Sequence, residues 1–220
     1  MKVGTARKKR KGSKPLGQSL VEFAIMLPIL VMMISGLIEL GFMLNYYLDL
    51  VDTAREVARI AADDDPVHDE SGFFNDDPRN NPEPNGFYTR AYGTMYAVLK
   101  GARQITLDQL NNDDLVISIF SVSGGATPTI LARYPTAYND GICEQGGEIG
   151  WRLYCNQVSK YDTTTVASWL QDGSNDTGLI LVEIYYNYNL VMGLPWIEVL
   201  LGNPITLHAH SVMPNRHAAP

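Results

Sequence analysis

A chain of 220 residues leaves room for one ordinary domain once a basic leader and an apolar segment are set aside. The formal charge is −7, but the first 16 residues hold Lys2, Arg7, Lys8, Lys9, Arg10, Lys11 and Lys14 and no acid, so the remainder is strongly acidic. An acidic body argues against nucleic acid or anionic lipid as its partner, and no repeat at a fixed period suggests a solenoid.

The first element is a long apolar helix. From Phe23 to Ile38 no residue is charged, and apolar residues continue past Glu39 to Leu44. Residues 20–44 therefore suit a membrane span, which needs ~20 mostly apolar residues. Lys and Arg beside a span stay on the cytoplasmic side, which places the N-terminus inside and residues from about 45 onward outside. A cleavable secretory signal would have a run of ~7–15 residues and a small-residue cleavage site; here NYYLDLVDTAREVARIAA follows, a patterned helix. Leu44, Tyr47, Val51, Ala54, Ala58 and Ala61 recur at helical spacing, so one helix is expected over 18–62, ~68 Å long. Pro28 lies within it, as membrane helices tolerate.

The residues Gly17-Gln18-Ser19-Leu20-Val21-Glu22-Phe23 resemble the processing signal of type IV pilins and pseudopilins: a basic leader ending in Gly, then Glu at the fifth mature position and an apolar residue after it. With Ala24, Leu27, Pro28, Gly36, Glu39, Gly41, Ala54, Arg55 and Arg59 the stretch looks like the TadE-like family, minor pseudopilins of tight-adherence (Tad) pilus systems. The likeness covers the first quarter of the chain; beyond it only a late alternating strand and the closing ITLHAHSVMPNR agree loosely. It implies a leader of residues 1–17 cut between Gly17 and Gln18 by a prepilin peptidase, and a single-pass protein of the inner membrane whose partners are the membrane, other pilin or pseudopilin subunits and the inner-membrane platform. It also implies assembly roles for Glu22 and Phe23, with Glu22 pairing the new α-ammonium of its own or a neighbouring subunit. The competing account solvates Glu22 in the headgroup layer. Glu39, ~32 Å along the helix from Gln18, is expected as an interfacial carboxylate near the far edge of the hydrocarbon.

Asp63-Asp64-Asp65-Pro66 ends the helix, since Pro cannot continue it. An extracytoplasmic α+β domain is expected over 63–220. It begins with an acidic loop at 63–87, whose carboxylates lack EF-hand spacing and read as solvated rather than calcium-binding. Tyr88–Ile105 reads as a helix with Tyr88, Tyr92, Met95, Tyr96, Leu99 and Ala102 on its inner face. Leu115–Val122 alternates as a strand ended by Gly124-Gly125, with Thr129–Tyr134 as a hairpin partner. The two cysteines, Cys143 and Cys155, read as a disulfide in an extracytoplasmic domain, worth roughly 3 kcal/mol.

Asp162–Leu170 reads as a short helix carrying Val166, Trp169 and Leu170. Leu179–Leu190 is the strongest strand, with Ile180, Val182, Ile184, Tyr186 and Tyr188 on one face and Glu183, Tyr185, Asn187 and Asn189 on the other. That alternation predicts an antiparallel sheet buried on one side. Ile205–Met213 supplies a further strand, with a tail from Pro214. Between these strands Leu190–Leu201 is too apolar for a plain link, with Glu198 its only charge. It is either a buried turn or an apolar lip touching membrane or a partner through Trp196 and Leu200, and both accounts stand at this point.

No nucleophile elbow, zinc-protease helix, P-loop or dinucleotide fingerprint is present. His208 and His210 share a strand face but lack a third ligand nearby, so no metal, cofactor or catalysis is expected. The expected architecture is α+β and pilin-like: a long N-terminal transmembrane helix continuing into an antiparallel β-sheet ectodomain, with assembly or priming of a Tad-type pilus as its function. The alternative is a permanently anchored envelope scaffold that never enters a fibre.

Overall fold

The apolar stretch forms one unbroken helix, α1, from Leu16 to Ala62 with Pro28 inside it. The computed structural model describes residues 16–66, 86–103, 105–135, 137–138, 145–146 and 150–220. The basic leader up to residue 15, the acidic loop from 67 to 85 and Cys143 lie outside the described residues. The chain divides into two units, Met1–Gly41 and Phe42–Pro220.

In the first unit the described part of α1 is exposed on nearly every face, with Leu20, Phe23, Ile25, Met26, Met33 and Leu37 all open. A helix satisfies its own backbone and so can be apolar all round only in lipid or in a large core. The segment is long and apolar enough to cross a membrane.

In the second unit the same helix becomes amphipathic. Leu50, Thr53, Ala54, Val57, Ala58 and Ala61 are buried, with Met43, Tyr46 and Val51 half-buried beside them. Leu44 and Tyr47, expected on the inner face, are exposed. Val51, Ala54, Ala58 and Ala61 of the expected stripe do face inward, so only its start is turned, and periodicity alone could not choose between Tyr46 and Tyr47. The choice follows from the ring of Tyr46, which lies 5.9 Å from that of Tyr186 and 5.1 Å from that of Tyr188.

Helix α2, Phe87–Arg103, joins the same core through Phe87, Tyr88, Ala91, Met95 and Leu99. The expected stripe is therefore rotated: Tyr92 is only half-buried, and Tyr96 and Ala102 face out. Tyr88 turns inward to stack on buried Trp151, with centroids 4.6 Å apart.

The sheet is antiparallel, in the order β2 (Thr129–Tyr134), β1 (Asp114–Ser123), β6 (Thr177–Tyr188), β7 (Ile205–Asn215). The two-residue strand β5 (Trp151–Arg152) pairs with β1 beyond the end of β2, and β3 (Ala137–Tyr138) pairs with β4 (Gln145–Gly146) apart from the main sheet. One face of the sheet carries Leu115, Ile117, Ile119, Ile180, Val182 and Ile184 into the core shared with α1 and α2. The other face is covered too, correcting the expectation of one-sided burial. Phe120, Val122 and Leu181 pack with Val166 of the short helix α3 (Thr163–Ala167), and Tyr161 and Leu170 close over them. The crossover between β5 and β6 lies across this second face, so its apolar residues lose water as well.

Strand β7 extends to Asn215, so Pro214 belongs to the sheet and not to a tail. Asn215 is fully buried, and its Nδ2 donates to the carbonyls of Ala61 at 3.0 Å, Ala62 at 3.2 Å and Asp64 at 2.8 Å. Its Oδ1 accepts from the amides of His217 at 2.8 Å and Ala218 at 2.9 Å. The last carbonyls of a helix have no partner within it; here a side chain 153 to 154 residues later in the chain supplies one. Gly178, paired with Asn215 across β6 and β7, is required by close approach, because a Cβ there would meet the Asn215 carbonyl and Ala218.

Candidate functional site

Three places carry chemistry that packing alone does not explain. The first is the start of α1. Gly17 falls in its first turn with open space where a Cβ would sit. Glu22 and Phe23 follow one turn on, both exposed, within a surface otherwise formed by Leu20, Val21, Ile25 and Met26. A carboxylate there lies among apolar side chains, where lipid would penalise it and a cation would be attracted to it. Glu39 is the carboxylate expected near the far edge of the hydrocarbon. It is 2 % exposed and one turn from buried Ser35, whose Oγ donates to the Met32 carbonyl at 2.9 Å. A four-residue spacing sets both polar groups on one helix face.

The second place is the connection from β6 to β7. It contains helix α4, Pro195–Leu201, whose first turn begins with Pro and is set by the extended Leu194 before it. Leu190 and Ile197 are buried, and Leu194 and Trp196 pack half-buried against the main core. The C-terminal half faces outward: Val199 is 90 % exposed and Leu200 76 %, and Leu201, Val191 and Met192 are also open. The segment is thus buried on one side and open on the other. Trp196 belongs partly to the core, whereas Leu200 points away from it.

The third place is on the second face of the sheet, which the sequence left as solvent. Glu183 is fully buried. Its Oε1 accepts from the Lys160 amide at 3.0 Å and from His208 Nε2 at 3.1 Å, and it shares the Tyr185 hydroxyl proton at 2.9 Å with the Val158 carbonyl. Burial pushes this carboxyl up, but the hydrogen bonds, led by that of His208, win and hold it below its ordinary value. The same burial, together with the charge of Glu183, drives the Tyr185 phenol upward. Since a carboxylate only accepts, His208 must carry its proton on Nε2.

His210 lies outside this buried pair, with Nδ1 3.0 Å from the Tyr161 hydroxyl and its ring stacked with Trp169. Burial and the neighbouring His208 lower its pKa, against a smaller opposing pull from Glu183. His208 is therefore not turned to solvent; it ties edge strand β7 to Glu183 of β6, whose carboxylate also holds the Lys160 amide of the crossover. Sequence alternation placed Glu183 and His208 on the outward faces of their strands but could not show that residues 158–161 cover them. Among the described residues no group of three metal-ligating side chains gathers here or elsewhere.

Cys155 lies half-buried against the main core with φ at 64°, and Cys143 is outside the described residues. The buried Asp113 and Asp114 bind loops. Asp113 accepts from the amides of Asn187 at 2.7 Å and Asp108 at 2.9 Å, and Asp114 from those of Tyr154 and Gln157, both at 2.9 Å. Burial raises both carboxyls above their ordinary range.

Compared with known proteins, residues 17–59 match the model of the family described as TadE-like protein. The match takes in Gly17, Glu22 and Phe23 and runs through α1 almost to its end. No curated protein and no solved structure matches the chain.

Proposed function

We propose, with the TadE-like stretch at residues 17–59 as the premise, that this chain is a minor pseudopilin of a Tad-type pilus. Its leader is cut after Gly17 by a prepilin peptidase at the cytoplasmic face of the inner membrane. The rest of α1 anchors it there while residues beyond the span face outward. One observation carries the proposal: Gly17 stands five residues before an exposed Glu22, at the head of an unbroken apolar helix. Cleavage after Gly17 frees an ammonium ~6 Å along the helix from Glu22. Two opposite charges at that separation in a low-dielectric layer attract strongly, so Glu22 selects the register in which a subunit joins its neighbour or primes the fibre. Phe23 supplies apolar contact beside it.

The test is direct. N-terminal sequencing of the membrane-bound protein should begin at Gln18. Gly17→Leu should leave an uncut precursor that still inserts, because the basic flank and the apolar run are unchanged. Glu22→Ala should be cut and inserted, since it removes a charge from the span, yet should fail to support piliation. Normal piliation by Glu22→Ala overturns the assembly role of this carboxylate. An intact residue 1–17 on protein absent from sheared fibres favours a permanently anchored scaffold instead.

A further inference from the structure

The exposed apolar half of α4 lies at one end of the second unit, and strand register shows which. The connection that holds α4 joins Tyr188 to Ile205, which are paired across β6 and β7. The ring of Tyr188 lies 5.1 Å from Tyr46, and Tyr186 stacks on the same ring. At the opposite end of this hairpin Asn215 binds Ala61 and Ala62. Residues 46 to 62 of α1 therefore run alongside β6 in the opposite direction, and the β6–β7 connection emerges at the end where α1 enters this unit near Phe42. At that end α1 also shows Phe42, Leu44 and Leu48 to the outside.

We propose that Val191, Met192, Val199, Leu200 and Leu201 rest in the outer surface of the bilayer that α1 crosses, with Trp196 at the boundary between headgroups and acyl chains. The proposal depends on α1 being the membrane anchor, as argued above. The occupant is lipid because, within the second unit, this segment lies at the end where α1 enters with Phe42, Leu44 and Leu48 exposed. Residues 190–204 carry a single charge, Glu198. A Trp with one face in protein and one face open suits the interface between headgroups and acyl chains. Uncharged docking fits an acidic domain, which gains nothing from anionic headgroups.

The test places the whole chain in phosphatidylcholine vesicles, with and without brominated acyl chains, which quench only tryptophans that reach them. Flotation reads the anchor, and quenching reads the lip. The tryptophans are Trp151, buried in the core, Trp169 on the other side of the sheet, and Trp196. Quenching is expected, and Trp196→Phe should abolish most of it. Val199→Ser with Leu200→Ser should lower the lipid-contacting fraction at least about tenfold, given what burial of two aliphatic side chains contributes. Both side chains are open, so the melting temperature of the domain should hold, which separates loss of docking from loss of fold. A chain that floats while Trp196 is unquenched overturns the lip alone; a chain that does not float overturns the anchor and the lip together. An unquenched blue shift that grows with the protein-to-lipid ratio overturns lipid as the occupant in favour of a second copy.

Discussion

Replacing Asn215 tests whether the closing strand holds the end of α1. The amide has two protons, shared among the carbonyls of Ala61, Ala62 and Asp64, and its oxygen accepts from two backbone amides. Asn215→Ala thus removes about four hydrogen bonds at a buried site, each worth about 1 kcal/mol net. Water that enters the gap recovers part of this, so the expected loss is about 2–4 kcal/mol, within the range of helix-cap and buried-polar losses. For a unit of this size that corresponds to a fall of about 5–15 °C in melting temperature. All three tryptophans lie in the second unit, so fluorescence of the whole chain in detergent follows that unit alone. Asn215→Asp sharpens the test. It keeps the acceptor for His217 and Ala218 but sets an oxygen against three carbonyls, so at neutral pH it should be at least as damaging as Ala. Acidification should recover part of the loss as the carboxyl gains a proton to donate. A melting temperature within about 2 °C of the parent for Asn215→Ala would show that solvent caps the helix equally well, which would refute the reasoning.

Two further outcomes are expected. Glu183 has a folded-state pKa below its ordinary value, so its contribution is complete above that ordinary value and fades as pH falls through the folded one. Glu183→Gln should therefore cost about 2 kcal/mol near pH 7, and the gap between variant and parent should narrow in melts taken below pH 4; a gap that stays constant with pH would mean the charge contributes nothing. Non-reduced peptide mapping should recover Cys143 and Cys155 as one linked pair, and reduction should destabilise the second unit by roughly 3 kcal/mol; two free thiols would end that assignment.

The sequence by itself determined what depends on local chemistry. Phe23 to Ile38 has no charge, so any fold must place it in lipid or deep in protein, and the helix follows because a backbone out of water must bond to itself. The turn at Gly124-Gly125 and the alternation of Ile180 to Tyr188 likewise gave a hairpin and a strand, since period-two patterning and turn residues act over a few neighbours. The inward stripe of Val51, Ala54, Ala58 and Ala61 on α1 was legible in the sequence. Only tertiary structure turned Tyr46 inward in place of Tyr47, because the two are identical side chains and only the rings of Tyr186 and Tyr188 distinguish them. It also buried Glu183, whose outward position is correct for its strand but whose cover comes from residues more than 20 positions earlier. Asn215 was read as tail for the same reason. Its partners include the last carbonyls of a helix that ends 153 residues before it, and no local pattern carries information across that distance.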